Sequence, residues 1–150
     1  MIRKARLSDV KEIQRLVNFY ADRGDMLPCS LSELYERARD FFVSEENGEI
    51  VGTCALHPCW EDLGEIRSLA VKESYARRGI GTDLTNACLE EAASLGIRRV
   101  FALTYKPDFF ERLGFQRIDK SKLPQKIWSD CVKCVKFPEC DETAMILNLG

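Results

Sequence analysis

The sequence predicts an α/β (α+β) domain in which helices flank a mixed, mostly antiparallel central sheet. Two strand candidates meet at Asn47-Gly48, a dipeptide typical of a tight β-hairpin. A third strand candidate, Gly64 to Val71, follows and extends them into an antiparallel meander. A glycine-rich turn and a helical pattern starting at Ile80 come next, so a strand–turn–helix unit is joined to the meander.

The first forty residues contain one strand candidate and two helix candidates. Ile2 to Ala5 suits a short strand, and Ser8 suits the N-cap of a helix that Gly24 ends. The apolar stripe of that helix is Val10, Ile13, Leu16, Val17 and Tyr20. Pro28 favours a loop, after which Ser30 or Ser32 caps a second helix that extends to about Asp40.

The remaining elements follow from apolar runs and from the glycines that bound them. Strands are predicted at Phe41–Val43, Glu49–Leu56, Gly64–Val71, Val100–Thr104, from Gly114-Phe115 onward, and at Thr143–Leu147. The long helix runs from Ile80 to Leu95, and Gly96 ends it. A short helix carries Phe109, Phe110 and Leu113.

Composition narrows the class of protein. The 150 residues suit one domain, 1–150, and 45% hydrophobic with 31% charged residues is ordinary for a globular chain. The net charge of −2 implies no general attraction to nucleic acid or to anionic membranes. No apolar run approaches membrane-spanning length and the first residues lack a signal-peptide core, so we expect a cytoplasmic protein.

The seven cysteines are an odd number, which favours thiols or metal ligands over disulfides in a reducing compartment. Three of them, Cys131, Cys134 and Cys140, have a spacing that could serve zinc. Three thiols are one ligand short of a closed tetrahedral site. We therefore predict no bound metal, and zinc at these cysteines is the alternative.

The turn at Arg77–Thr82 has the features of an anion site. Gly79 and Gly81 allow a ligand to approach the backbone closely, and the first N–H groups of a helix have no partners inside the helix. The helix dipole adds about half a positive charge at this end. A phosphate or pyrophosphate is therefore the expected ligand.

Residues 76–81, Ala-Arg-Arg-Gly-Ile-Gly, resemble the acetyl-CoA motif [QR]-x-x-G-x-[GA] of the GCN5-related N-acetyltransferases, the GNAT superfamily. Ala76 replaces the leading Gln or Arg of that motif. Glu65-Ile66 on the preceding strand and Phe110–Phe115 near the end of the chain match the same family, and the order of elements is that of its fold.

A closer resemblance is to the acetyltransferase domain of N-acetylglutamate synthase. It is carried by Ile2–Ala5, the loop 24–27, Gly64-Glu65, Val71, the run Val100–Thr104, and the Phe110 version of the C-terminal motif. Larger members of that family carry an amino-acid-kinase domain, and this chain resembles the short, stand-alone form. The resemblance implies acetylation of the α-amine of L-glutamate, in arginine biosynthesis, with acetyl-CoA as donor.

The resemblance also implies where the donor binds. Leu69, Ala70 and Val71 would pair with the pantetheine arm, and a backbone N–H there would polarise the thioester carbonyl. The pyrophosphate would be bound by Arg77, Arg78, Gly79, Ile80, Gly81 and Thr82. Phe110 occupies the position where the wider family often has a tyrosine.

Two side chains are candidates for proton transfer. Glu65 aligns with the family's general base, which is needed because an α-amine with a pKa of about 8 is mostly protonated at neutral pH. Tyr105 is the candidate that protonates the departing thiolate, with packing at the end of its strand as the alternative. His57, the sole histidine, precedes Pro58 on an expected hairpin turn and is predicted to be structural or exposed.

The acceptor pocket follows from the resemblance as well. It would be formed by the loop with Leu27 and Cys29, by Ser68, and by Thr104. Relatives tend to have an arginine in that loop, where this chain has Pro28-Cys29, so Arg67 or Lys106 is predicted to bind the acceptor carboxylate instead.

Several alternatives stay open at this point. Glutamine, another small amine or a protein N-terminus could be the acceptor. A different class of function is a non-catalytic module on the same fold that senses CoA or redox state. No nucleic-acid or membrane partner is expected, a small amino acid is the expected partner, and a homodimer stays open.

Overall fold

The computed structural model describes residues 1–26, 28–123 and 142–150. The strands are β1 Ile2–Lys4, β2 Phe41–Glu46, β3 Glu49–Trp60, β4 Leu63–Val71, β5 Arg99–Thr104, β6 Gln116–Ile118 and β7 Thr143–Asn148. The helices are α1 Val10–Ala21, α2 Leu31–Glu36, α3 Ile80–Ser94 and α4 Pro107–Arg112. They form the predicted mixed α/β GNAT-type fold, in which helices flank one sheet.

The predicted meander is confirmed. Asn47 and Gly48 have φ of 53° and 77°, the left-handed pair that a two-residue hairpin between β2 and β3 requires. The predicted turn at His57 was wrong, because β3 continues past it to Trp60 and places His57 opposite Glu65 of β4. The hydrogen bond of His57 to Asp40 is consistent with the structural role predicted for it. Pro58 is accommodated within β3 next to a register shift, where the regular ladder is interrupted.

The sheet has the order β1-β2-β3-β4-β5-β7-β6. Every neighbouring pair is antiparallel except β4 and β5, which are parallel. The parallel pairing joins only Leu63, Gly64 and Glu65 to the first residues of β5. The sheet therefore consists of two antiparallel halves joined by a short parallel contact.

Helices cover both faces of the sheet. Leu84, Cys88 and Ala92 of α3 are fully buried against a cluster that includes Ile66 and Val100. On the opposite face, α1 and α2 bury an apolar stripe against β2 and β3. Its residues from the helices are Val10, Ile13, Val17 and Leu34. None of the helices in the described ranges is both long and apolar enough to cross a membrane.

The starts of α1 and α2 differ in their agreement with prediction. Ser8 does not cap α1; it lies in a 3-10 turn, Leu7–Asp9, after which α1 begins at Val10. Asp9 instead binds the backbone before the helix: its carboxylate accepts a hydrogen bond from the N–H of Arg6 at 2.7 Å. Ser30 does cap α2 and accepts from the N–H of Glu33 at 3.1 Å.

The end of one helix and the start of one strand also differ from the prediction. The second helix ends at Glu36 rather than near Asp40, because Arg37 leaves helical geometry at φ −107° and ψ 13° and a 3-10 turn, Ala38–Asp40, follows. The strand expected from Gly114-Phe115 begins at Gln116, and Phe115 is buried in the core instead.

Asp9 is the most tightly held buried charge near the N-terminus. Arg3 donates to both of its oxygens, at 2.8 and 3.1 Å, and the Asp9 residue is only 7% exposed. The hydrogen bond from Arg3 lowers the pKa of Asp9 below its ordinary value, with the N–H of Arg6 contributing in the same direction. The ionised form of Asp9 therefore stabilises the folded state.

We predict that Asp9→Asn lowers the free energy of unfolding by about 1.5–3 kcal/mol at neutral pH, because Arg3 loses its charged hydrogen bonds to Asp9 and keeps only the one to Glu45. A group with a lowered folded pKa contributes stability above its unfolded pKa, and this is lost as pH falls through the folded value. The difference from wild type should therefore shrink as the pH falls below about 4. Urea unfolding at pH 7 and pH 3 measures both.

The exposed variant Asp22→Asn is the control and should change stability by less than about 0.5 kcal/mol. An Asp9→Asn deficit of equal size at both pH values would contradict an ionic origin.

Candidate active site

A cleft opens where β4 and β5 diverge. Their parallel pairing stops at Glu65 and Phe101, and neither strand pairs with the other beyond that point in the described ranges. The cleft has a volume of about 1300 Å³ and is bounded by both strands, the start of α3, α4 and the loop before α2. The predicted residues that line it are Cys29, Glu65, Arg67, Ser68, Leu69, Ala70, Val71, Arg77, Gly79, Ile80, Gly81, Thr82, Thr104, Tyr105, Lys106 and Phe110.

The other predicted site residues are not among those that line the cleft. Arg78 does not line the cleft; its guanidinium lies over the Tyr75 ring, 4.9 Å from the centroid. Leu27 lies outside the described residues, and so do Cys131, Cys134 and Cys140. Across the part of the chain that the structure describes, no three His, Cys, Asp or Glu side chains are grouped to bind a metal ion.

A bulge shapes the wall of the cleft on β4. Thr53 and Ala55 of β3 pair with Ala70 and Arg67, so β4 contains one residue more than β3 over this stretch. Ser68 adopts φ 54° at the bulge, which is uncommon for a residue other than glycine. The extra residue reverses the alternation of side chains: Arg67 and Ser68 face the cleft, whereas Leu69 and Val71 also pack against the cluster under α3.

The glycine turn has the backbone geometry of an anion site. Gly79 caps α3 with φ 80° and Arg77 has φ 65°, so the chain is left-handed twice before the helix begins. The N–H groups of the first helical turn have no partners inside the helix. Gly81 faces the Phe109 ring across the cleft, and a Cβ there would be in ordinary van der Waals contact with that ring at 3.6 Å. The start of α3 is therefore suited to bind a phosphate.

Glu65 and Arg67 form the charged centre of the cleft. They lie two residues apart on β4, and the Arg67 Nε donates to the Glu65 Oε1 at 2.6 Å. Their side chains are 12% and 23% exposed, so the pair is largely withdrawn from solvent. His57, opposite Glu65 on β3, is hydrogen-bonded through Nδ1 to Asp40 at 2.8 Å.

The end of β5 forms the other wall. The hydroxyl of Thr104 accepts a hydrogen bond from the N–H of Lys106 at 2.8 Å, which fixes the turn into α4. Tyr105 is half-buried within that turn. Phe110 is buried and packs edge-to-face against Phe109 and Phe115, with ring centroids 5.1 Å apart in each case. These contacts make Phe110 part of the cleft floor and of the core together.

The Cys29 loop is held against the cleft by α1. Gln14 donates to the carbonyl of Cys29 at 3.2 Å, and Asn18 accepts from its N–H at 3.2 Å. The Cys29 thiol lies 3.9 Å from the hydroxyl of Ser68. Burial raises the pKa of Cys29, so the thiol is protonated at neutral pH. The loop therefore presents a neutral sulfur to the cleft.

Sequence reasoning missed several residues of the cleft. Tyr20 was assigned only to the inner stripe of α1, but its hydroxyl donates to the carbonyl of Val71 at the end of β4. Burial raises the pKa of Tyr20, which keeps this donor protonated. Glu33 and Arg37 reach the cleft from α2 and from the position after it. A spacing of four residues could have placed these two on one helix face, but no local signal aims that face at the cleft.

Comparisons with known proteins agree with this geometry. A model of the acetyltransferase (GNAT) family matches residues 7–115. An uncharacterized N-acetyltransferase of Chlorobaculum tepidum is 42% identical over 148 residues, which cover 99% of this chain and 96% of that protein. An amino-acid acetyltransferase of Mycobacterium tuberculosis is 38% identical over 133 residues, 87% of this chain and 76% of that protein.

A solved structure is similar over the whole chain. It is N-acetylglutamate synthase from Neisseria gonorrhoeae, complexed with coenzyme A and N-acetyl-glutamate. The TM-score is 0.92 at 27% sequence identity, and the match covers 100% of this chain and 35% of that one. This chain therefore spans about a third of the length of that synthase.

If the start of α3 binds acetyl-CoA, Gly81→Val should weaken that binding by about ten- to a hundredfold, because the branched side chain would block hydrogen bonds to a charged phosphate. Titration calorimetry with acetyl-CoA measures the effect. Asn86→Val, which adds the same side chain to an exposed position of α3, is the control and should bind normally. Unchanged affinity in a folded Gly81→Val protein would place the donor elsewhere.

Proposed function

Since the chain belongs to the acetyltransferase (GNAT) family and is an acetyl-CoA-dependent N-acetyltransferase, we propose that it acetylates the α-amine of L-glutamate. The observation that carries the proposal is the placement of Glu65 and Arg67 together on the cleft face of β4. A carboxylate and a guanidinium are the groups that an amino acid's ammonium and carboxylate need. Relatives named amino-acid acetyltransferase support the same class of acceptor.

The donor is proposed to lie along β4 and the start of α3. The pyrophosphate would meet the N–H groups of the first turn of α3 and the side chain of Arg77. The pantetheine arm would follow Leu69 to Val71, where the bulge and the divergence of β5 leave one edge of β4 without a neighbouring strand among the described residues. Phe109 and Phe110 would close the cleft over the arm from α4.

Acetyl-CoA supplies the thioester whose acetyl group is transferred. Glu65 accepts a proton from the acceptor's ammonium, directly or through a water, which leaves the neutral amine that can attack. A main-chain N–H of residues 69–71 donates to the thioester oxygen and stabilises the charge that develops there. Tyr105, at the end of β5, delivers a proton to the departing sulfur.

The hydrogen bond between Arg67 and Glu65 affects both side chains in this scheme. It fixes the position of the Glu65 carboxylate in the cleft. It also commits one guanidinium nitrogen to Glu65, so Arg67 has less capacity for the substrate than the sequence alone implies. With glutamate as acceptor the product is N-acetylglutamate, and we propose a role in arginine biosynthesis in the cytoplasm.

Glutamine is the second candidate acceptor, and a specific observation favours it. The loop before α2 presents the neutral thiol of Cys29, where the resemblance to N-acetylglutamate synthase implies an arginine. We predict nevertheless that kcat/KM for glutamate exceeds that for glutamine by about tenfold or more, the value of one charged hydrogen bond. Thiol release from acetyl-CoA, measured with both amino acids side by side, decides between them.

Glutarate, which has both carboxylates of glutamate but no amine, is the control and should release no thiol. Glutamine used as well as glutamate, or better, would contradict the glutamate assignment and leave the acetyltransferase intact.

We predict that Glu65→Gln lowers kcat by about 10²–10⁴-fold and removes the acidic limb of the pH profile, because the amide cannot accept the proton. The KM for acetyl-CoA should stay within about twofold, since the base acts on the acceptor. Glu61→Gln, at an exposed position of the turn before β4, is the matched control. A Glu65→Gln enzyme with unchanged kcat and an unchanged acidic limb would make Glu65 a structural residue.

A further inference from the structure

The cation best placed to select the acceptor lies on neither β4 nor β5. Arg37 is the residue that follows α2, and its side chain reaches the acceptor end of the cleft together with Cys29 and Glu33. Its backbone is fixed on both sides, because Leu34 and Ala38 are buried at 2% and 7% exposure. Its N–H also donates to the carbonyl of Glu33 at 3.0 Å. The guanidinium therefore extends from a rigid backbone.

The cations predicted from the sequence are less well placed. The Nε of Arg67 is already bonded to Glu65 at 2.6 Å. Lys106 is exposed and lies before α4, at the opposite wall of the cleft. Arg37 is exposed as well, but it lies at the wall formed by α2 and the Cys29 loop, and it makes no ion pair within 4 Å to any residue in the ranges 1–26, 28–123 and 142–150.

Arg37 and Arg67 line the cleft together with Cys29, and the charges of both act on its thiol. Burial is the dominant influence and raises the pKa of Cys29, whereas the charges of Arg37 and Arg67 both act to lower it. Two guanidinium groups from different elements therefore lie close enough to the same thiol to act on it. Because that thiol stays neutral, it does not repel an anion that enters between them.

Glu33 is the competing anion. It lies one turn before Arg37. Its charge acts to raise the pKa of Cys29, whereas that of Arg37 acts to lower it. Its carboxylate accepts a hydrogen bond from the hydroxyl of Ser30 at 3.3 Å rather than pairing with Arg37. A substrate carboxylate would supply the bidentate partner that the planar guanidinium is shaped to bind.

We infer that Arg37 binds the side-chain carboxylate of the acceptor and sets its preference for an acidic amino acid. The inference deepens the proposed function and rests on it. Arg67, next to Glu65 on β4, is left to the α-carboxylate, beside the amine that Glu65 deprotonates. In this arrangement the two carboxylates of a dicarboxylic amino acid are bound by two elements, β4 and the end of α2.

Arg37→Gln and Arg37→Lys test the inference, with Arg39→Gln as the matched control. Arg39 is exposed in the 3-10 turn after Arg37 and does not line the cleft. Arg37→Gln should raise the KM for glutamate by about ten- to a hundredfold, and Arg37→Lys by less, because the charge is kept while the fork is lost. The KM for acetyl-CoA and for glutamine should stay within about twofold in all three.

Binding of glutarate, measured by calorimetry, separates failure of the inference from failure of the proposed function. If wild type acetylates glutamate and Arg37→Gln leaves both its KM and glutarate binding unchanged, the inference is wrong and the proposed function stands. If wild type does not acetylate glutamate, the proposed function is wrong. In that case glutarate binding that Arg37→Gln abolishes supports the carboxylate site, and binding that it leaves intact, or no binding to wild type, overturns it.

Discussion

The parallel pairing of β4 with β5 ends after three residues, at Glu65 and Phe101. Each strand then continues with a different partner: β4 stays paired with β3, and β5 with β7. Edge groups of two adjacent strands are thereby left facing each other across a gap instead of bonding to each other. A ligand with its own hydrogen-bonding groups can take the place of the missing ladder, in the manner of an added strand. The cleft, its two walls and its position all depend on where this pairing stops.

The bulge at Ser68 determines which side chains of β4 face the gap. Without the extra residue, the side chains of β4 would keep one alternation along the whole strand. With it, charged and hydroxyl groups of residues 65–68 line the cleft while Leu69 and Val71 pack under α3, close to the glycine turn. In the proposed function, the donor and acceptor ends of the cleft are therefore formed by two halves of one strand. Tyr20 supports this geometry from α1 by bonding the carbonyl of Val71.

Sequence reasoning succeeded where the signal was local. The hairpin at Asn47-Gly48 and the helix start at Gly79 need a left-handed backbone, and glycine and asparagine are the residue types that favour this conformation. The bulge at Ser68 gave no such signal, because serine is unremarkable in a strand and the register shift depends on the pairing with β3. Arg37 was missed because the direction of a short helix is set by packing. The ion pair of Glu65 with Arg67 could have been predicted, since residues two apart share a face of a strand.

A crystal structure of the chain with CoA and N-acetylglutamate tests the central claim most directly, since it shows whether the gap between β4 and β5 is the reaction site. We predict that the acetyl group lies in that gap, with its oxygen bonded to a main-chain N–H of residues 69–71, and that the pyrophosphate lies at the start of α3. Ligands bound outside the gap, or a β4 and β5 that close into a continuous ladder in the complex, would contradict the account.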